Sequence, residues 1–148
     1  MPHNAPILII EDDIDDLDIL KYTFSDLKIY NEILWLQDPE DVINYLKNTA
    51  VKPFLIFCDV NMPKVNGIML KRRLDDDPVL RKKSIPFIFY STSIDPIIID
   101  KAYSELTVQG FFKKGHDTAT IYNTVKVIMD YWTLCVHPGS GGAGTTLP

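Results

Sequence analysis

Several short apolar runs in this 148-residue chain stop at residues that can do chemistry. Ile7-Leu8-Ile9-Ile10 runs into Glu11-Asp12-Asp13, and Phe54-Leu55-Ile56-Phe57-Cys58 runs into Asp59. Two later runs end at Ser91 and at Lys114. Oxygen donors of this kind suit Mg2+ or Mn2+, hard cations that take one or two carboxylates together with water and phosphate oxygens. Glu11, Asp12 and Asp59 gathered without a cation would repel one another, and a bound ion would also neutralise charge on an incoming phosphoryl group. Asp59 is then the nucleophile, because a carboxylate can attack phosphorus to give an aspartyl phosphate. Such transfer asks the protein mainly for positioning and charge stabilisation. A lysine ammonium at 113 or 114 could hold Asp59 and later a phosphoryl oxygen, and a hydroxyl of Ser91-Thr92-Ser93 could hydrogen-bond the new phosphate.

The elements that must position these groups are legible in the hydrophobic pattern. Residues 6–10, 31–36, 54–58, 86–90 and 110–113 read as strands, and their solid rather than alternating apolar character predicts burial on both faces, as in a parallel sheet. Helical spacing falls between them. Residues 14–27 put Ile14, Leu17, Leu20, Phe24 and Leu27 near one face, and residues 39–48 group Val42, Ile43 and Leu46 behind Asp38 as N-cap and Pro39 as first helical residue. Residues 67–76 carry Ile68, Leu70 and Leu74; Pro96 opens a helix to about Glu105; residues 118–132 turn Ile121, Val125, Ile128 and Trp132 inward behind Asp117. Five strands alternating with five helices predict a doubly wound α/β fold with a parallel sheet. Ligands of such sheets collect outside the carboxyl ends of the strands. The flavodoxin-like order 2-1-3-4-5 would set the first strand beside the third and bring Glu11, Asp12 and Asp59 together.

Composition bounds the function. A single domain is expected over residues 5–132, followed by a flexible Gly/Ser/Thr-rich tail over 133–148. The 46% hydrophobic and 24% charged fractions are those of an ordinary globular protein. A net charge of −5 argues against nucleic-acid binding, and the basic residues Lys71-Arg72-Arg73 and Arg81-Lys82-Lys83 are interrupted by Asp75-Asp76-Asp77. No apolar run approaches the length of a membrane span, no secretory leader is seen, and Cys58 and Cys135 make no disulfide framework, so a cytoplasmic location is expected. His3, His116 and His137 lack ligand spacing and read as solvated, and Cys58 reads as core filling.

Taken together the motifs resemble a response-regulator receiver domain of two-component signalling. The acidic pair matches Glu11-Asp12. The phosphoacceptor signature matches Asp59-Val60-Asn61-Met62-Pro63 with Gly67, and the switch hydroxyl and the lysine match Ser91 and Lys114 in register. Asp77-Pro78-Val79-Leu80-Arg81, Ile85-Pro86 and Ser91-Thr92-Ser93 are similar to stand-alone receivers of the bacteriophytochrome-partner type. The resemblance implies that the Asn61 carbonyl completes the cation site and that Phe111 is an aromatic switch turning inward as Ser91 engages phosphate. It implies phosphorylation of Asp59 by a sensor histidine kinase or phosphotransfer protein, and output through a downstream protein target rather than by turnover of an external substrate. The Ile97-Ile98-Ile99 segment also suits a homodimer contact. Two positions depart from the family: Gly115 follows the lysine where proline is usual, loosening its hold, and Thr92 is bulkier than the small residue expected.

Competing readings are plainer. Glu11-Asp12-Asp13 could simply complement a helix dipole, Asp59 could be a turn acid, and Ser91 could cap a loop. A degenerate receiver, binding partners without phosphorylation, would draw on Gly115 and Thr92. A phosphatase of the haloacid-dehalogenase type also uses an aspartyl nucleophile, but it wants a second Asp two residues on, where this chain has Asn61.

Overall fold

A computed structural model describes residues 4–62 and 66–137. Pro63 of the signature, His3 and residues 138–148 of the expected tail lie outside the described residues. The chain runs β1 (Ile7–Ile10), α1 (Ile14–Asp26), β2 (Ile33–Leu36), α2 (Pro39–Asn48), β3 (Leu55–Cys58), α3 (Gly67–Asp76), α4 (Pro78–Lys83), β4 (Phe87–Ser91), α5 (Pro96–Glu105), β5 (Gly110–Lys113) and α6 (Thr118–Leu134). The strands form one parallel sheet in the order β2-β1-β3-β4-β5. This is the doubly wound parallel sheet the pattern predicted, in the flavodoxin-like order carried over from known sheets of this kind.

The solid apolar strands divide their side chains between two cores. Leu8, Ile10, Ile56, Cys58, Phe87 and Phe89 face one side and meet Val42 and Leu46 of α2, Leu70 and Leu74 of α3 and Ala102 of α5. Ile7, Ile9, Leu55, Phe57, Ile88 and Tyr90 face the other and meet Leu17, Leu20 and Phe24 of α1 with Val125 and Ile128 of α6. Phe57 stacks edge-on with both Phe24 and Tyr90, at centroid distances of 5.7 and 6.1 Å.

Each helix start has a chemical cause. Asp13, Asp38, Asn66, Asp77, Asp95 and Asp117 accept backbone N–H groups of the first turn, and α2, α4 and α5 have proline at the opening position. The expected five helices become six. Asp77-Pro78 opens α4 as Asp38-Pro39 opens α2, but α4 is too short to show a period, with Leu80 as its buried residue. Ile14 is a second departure: it was expected on the inner face of α1 and is exposed. At the other end α6 passes Thr133 and continues to Leu134. His137, read as solvated, is buried, its ring 4.6 Å from that of Phe54 and 5.8 Å from that of Trp132. His116 is exposed as expected.

Opposite the chemical end of the sheet lies a buried polar knot. Lys71 Nζ on α3 donates to Asp75 Oδ1 (2.8 Å) and to Thr107 Oγ1 (2.9 Å), while Thr107, between α5 and β5, donates its amide and hydroxyl to Asp75 (2.8 and 2.5 Å). Burial pushes the Asp75 carboxyl up, but Lys71 and Thr107 outweigh it and hold the group below the ordinary 3.8. Burial likewise pushes the Lys71 ammonium down, offset in part by Asp75.

Removing one partner leaves the other charge buried and unpaired, so Asp75→Ala is expected to cost about 3–5 kcal/mol in urea denaturation at neutral pH. Because the Asp75 carboxyl titrates lower in the fold than out of it, its contribution is present above its ordinary value and is lost as pH falls below about 4. Asp75→Asn, which takes up no proton there, should show a shallower loss over that window. An identical acid limb in wild type and Asp75→Asn would contradict the assignment.

Candidate functional site

The register sets the chemical groups side by side. Ile10 on β1 pairs with Cys58 on β3, so Glu11 and Asp59 leave neighbouring strands at one level. The Asp59 amide donates to the Ile10 carbonyl (3.0 Å), which carries the ladder one residue past the strand and fixes where the Asp59 side chain begins. On the other flank Ser91 of β4 pairs with Lys113 of β5, and the Lys114 amide donates to the Ser91 carbonyl (2.8 Å). Lys114, rather than Lys113, is the buried lysine: Lys113 is exposed.

Three carboxylates converge here. Glu11, Asp12 and Asp59 each offer an oxygen within 4.8 Å of the others. Glu11 and Asp59 are buried and Asp12 is half-buried, at the rim. Asp13, the third acid of the run, faces away and caps α1 instead, accepting from the amides of Asp15 and Asp16 (2.8 and 3.4 Å). Such an all-oxygen donor set fits a hard divalent cation. The dipole-complementing reading therefore holds for Asp13, while Glu11 and Asp12 belong to the cluster.

Lys114 supplies the positive charge. Its ammonium lies 2.6 Å from Glu11 Oε2, 2.9 Å from Asp16 Oδ2 and 3.4 Å from Asp59 Oδ2. Sequence reasoning missed Asp16, although it stands five residues after Glu11 in the first turn of α1, within reach of the sheet end. Burial pushes the Glu11 carboxyl up, Lys114 draws it down and Asp59 pushes it up again, leaving it at about 7. Burial disfavours the Lys114 charge, but its bonds to Glu11 and Asp16 dominate and hold the ammonium above its ordinary range.

Several backbone features fix the acids. Trp35 on β2 donates its indole N–H to the Glu11 carbonyl at 2.6 Å, a contact that no local motif announces. Asp59 Oδ1 accepts the Asn61 amide at 3.3 Å, closing a short turn on the exposed Asn61. Gly67 is a glycine for steric reasons. A Cβ there would sit 2.2 Å from the Asp59 carbonyl oxygen and 3.0 Å from Cys58 Sγ, while the Gly67 amide donates to the Val60 carbonyl at 2.8 Å. The start of α3 thus rests against the backbone of the acid itself. Gly115 fills a similar need: a Cβ would meet Thr120 at 2.9 Å and Ile121 at 3.1 Å, so the chain after Lys114 is packed against α6.

The remaining expected residues lie on the β4 and β5 side. Ser91 is fully buried, its hydroxyl accepting the Ser93 amide at 3.3 Å, and Thr92 is exposed. Phe111 is half-buried, its ring tilted against Phe89 at 5.6 Å, and its amide donates to the Tyr103 hydroxyl on α5 at 2.9 Å. Tyr103, like Asp16 and Trp35, is a residue the sequence did not flag. Cys58 is core filling as expected: its thiol donates to the Asp59 carbonyl at 3.2 Å, and burial pushes its pKa well up.

The family model described as the response regulator receiver domain matches residues 7–126. The probable methanogenesis regulatory protein FilR2 of Methanothrix harundinacea is 26% identical over 130 residues, covering 85% of this chain and 82% of that protein. Among solved structures, the phosphorylated cyanobacterial phytochrome response regulator RcpA superposes with a TM-score of 0.80 at 25% identity, covering 92% of this chain and 99% of that one. The Mn2+-bound form of response regulator Rcp1 superposes with a TM-score of 0.75 at 24% identity, covering 97% and 99%, a likeness of fold. Rcp1 of Synechocystis sp. is also a sequence relative, 24% identical over 131 residues, or 85% of this chain and 87% of that protein. No helix among the described residues is long and apolar enough to cross a membrane.

Two expectations follow from the geometry. Glu11 titrates higher in the fold than in an unfolded chain, so without divalent cation its contribution is fully present below the ordinary 4.5 and is lost as pH rises from there toward 7. Thermal melts in chelator should therefore show wild type losing stability over that interval, with a flatter profile for Glu11→Gln. Equal slopes would count against a protonatable Glu11. Separately, Gly67→Ala forces the start of α3 off the Asp59 carbonyl and should cost about 1–3 kcal/mol by urea denaturation; a neutral effect would show that the close approach is slack.

Proposed function

Since this chain belongs to the response regulator receiver domain family, we propose that it accepts a phosphoryl group on Asp59 and signals by a change in its protein-binding surface. The observation that carries the reading is the buried convergence of Glu11, Asp59 and the Lys114 ammonium at one end of the sheet. A carboxylate nucleophile, charge for a cation and a cation of the protein's own are what phosphoryl acceptance needs, and they occur together.

Glu11, Asp12 and Asp59 would hold Mg2+ or Mn2+, with the Asn61 carbonyl as a further oxygen, and the ion would supply charge neutralisation for the transferring group. The Asp59 carboxylate attacks phosphorus in line. The new O–P bond forms as the donor's bond to phosphorus breaks, and the electron pair leaves with the donor, a phosphohistidine of a sensor kinase or phosphotransfer protein. Lys114 stays in reach of the phosphoryl oxygens, and Ser91 offers the hydroxyl that hydrogen-bonds them. Water later attacks phosphorus of the acyl phosphate; the Asp59 O–P bond breaks, inorganic phosphate leaves and the carboxylate is restored, so the chemistry is performed on the chain itself and not on an external substrate.

Phosphate capture by Ser91 would draw on the β4–α5 loop, where its hydroxyl now serves the Ser93 amide. Phe111 is the aromatic partner that follows, moving against the core as that loop closes. The affected surface is α5 with its neighbours, where Ile94, Ile97 and Tyr103 are exposed. That face would meet the downstream protein or a second copy of the chain, in the cytoplasm. The receiver unit spans residues 5–132 in this reading, with the tail from 133 playing no part in the chemistry.

Incubation with acetyl phosphate and Mg2+, read by intact mass, should add one phosphoryl group to wild type and none to Asp59→Asn or to wild type in chelator. Equal labelling of Asp59→Asn would overturn the assignment of the acceptor. Lys114→Ala should lower the extent of labelling at least tenfold, because the phosphoryl charge then loses its ammonium partner.

A further inference from the structure

Asp16 is left without a task by the chemistry proposed above. It is not among the carboxylates grouped for a cation, yet its Oδ2 stands 2.9 Å from Lys114 Nζ, closer than Asp59 Oδ2 at 3.4 Å. We propose that Asp16 is a positioning residue that competes with Asp59 for the Lys114 ammonium and so sets how tightly an anion on Asp59 is held. The inference rests on the receiver reading of Asp59 and Lys114 and adds a member to that site.

Donors and charge decide how Lys114 is shared. An ammonium has three N–H groups and accepts none, and three carboxylates surround Lys114, which is 5% exposed. Glu11 takes the shortest bond, Asp16 the next, and Asp59 the longest, so the amine is held toward β1 and α1 and short of the acceptor. Glu11 and Asp59 would share their charge with a cation; the Asp16 charge remains for Lys114. Asp16 is placed for this by the start of α1, where Asp13 caps the helix and fixes the first turn. Its side chain is 35% exposed against 3% for Glu11, so solvent supports its charge.

Asparagine at position 16 keeps the shape and an acceptor oxygen but removes the competing charge. The ammonium then gives more of its field to the Asp59 side, and a phosphoryl mimic there is held more tightly. A purely structural role for Asp16 predicts the opposite sign, since loosening Lys114 would weaken the mimic.

The test titrates beryllofluoride, which forms an acyl-phosphate mimic on an aspartate, into the full chain at saturating Mg2+, followed by amide spectra. Wild type, Asp16→Asn, Asp16→Ala and Asp16→Glu are compared, with a titration of Mg2+ alone beside each. Asp16→Asn and Asp16→Ala are expected to bind beryllofluoride about twofold to fivefold tighter, the scale of a part-exposed ion pair. Asp16→Glu should restore the wild-type value, and Mg2+ alone should bind Asp16→Asn no more tightly than wild type. Unchanged or weaker beryllofluoride binding by Asp16→Asn, with wild type binding, would overturn the role of Asp16 alone. Failure of wild type itself to bind beryllofluoride would overturn the receiver reading and this inference with it.

Discussion

One buried ammonium among carboxylates is the constraint around which this molecule is organised. Lys114 reaches Glu11, Asp16 and Asp59 from the far end of β5, and two of those acids lie almost wholly out of water. Desolvating such charges costs several kcal/mol per ion, and one cation does not balance the acids that meet there. Burial is the main upward push on the Glu11 carboxyl, opposed by Lys114, with Asp59 adding to it. An excess of negative charge held in place by a rigid scaffold is a poor way to stabilise a fold and a good way to receive a cation and a phosphoryl group.

The scaffold supplies that rigidity through backbone bonds rather than side-chain packing alone. The Asp59 amide on the Ile10 carbonyl and the Lys114 amide on the Ser91 carbonyl extend the parallel ladder past the strands, so that the chemical residues inherit the precision of the sheet. Trp35 does the same for Glu11 from the edge strand. Gly67 and Gly115 then let α3 and α6 press against the chain beside Asp59 and Lys114. Where the family's usual proline after the lysine is absent, close packing by Thr120 and Ile121 and the carboxylates of Glu11 and Asp16 hold the amine instead.

The sheet and its chemical edge were legible in the sequence because both are written in local runs. Solid apolar strands buried on two faces give an unbroken signal, and the acids follow each run directly, as at Ile10-Glu11 and Cys58-Asp59. What the sequence hid depends on distance in the chain. Asp16 is one more acid in an acidic first turn until β5 brings Lys114 to it across 98 positions. Trp35 looks like edge-strand packing until its indole is seen on Glu11, and His137 looks solvated until Phe54 and Trp132 enclose it. The short α4 failed for another reason: one cap, one proline and a single buried leucine leave no period to read. Ile14 was assigned inward because helix spacing gives the face of a helix but not how far its first turn projects beyond the sheet.

The ties of α5 decide which of its ends can answer to the site. Its C-terminal side is held three times over: Arg72 bonds Glu105 at 3.3 Å, Thr107 is locked into the Lys71–Asp75 pair, and Tyr103 accepts the Phe111 amide. Its N-terminal side follows directly from the Ser91–Ser93 turn, whose bond is a single amide to a buried hydroxyl at 3.3 Å. Under the proposed function a displacement of Ser91 would be taken up in the loop and first turn of α5, where Ile94 and Ile97 stand exposed, rather than at the end anchored on α3. Tyr103 ties this same end of α5 to the backbone of Phe111, whose ring rests on Phe89. Under the proposed function, the buried knot at the opposite end of the sheet would be the fixed end of α5 about which its first turn moves.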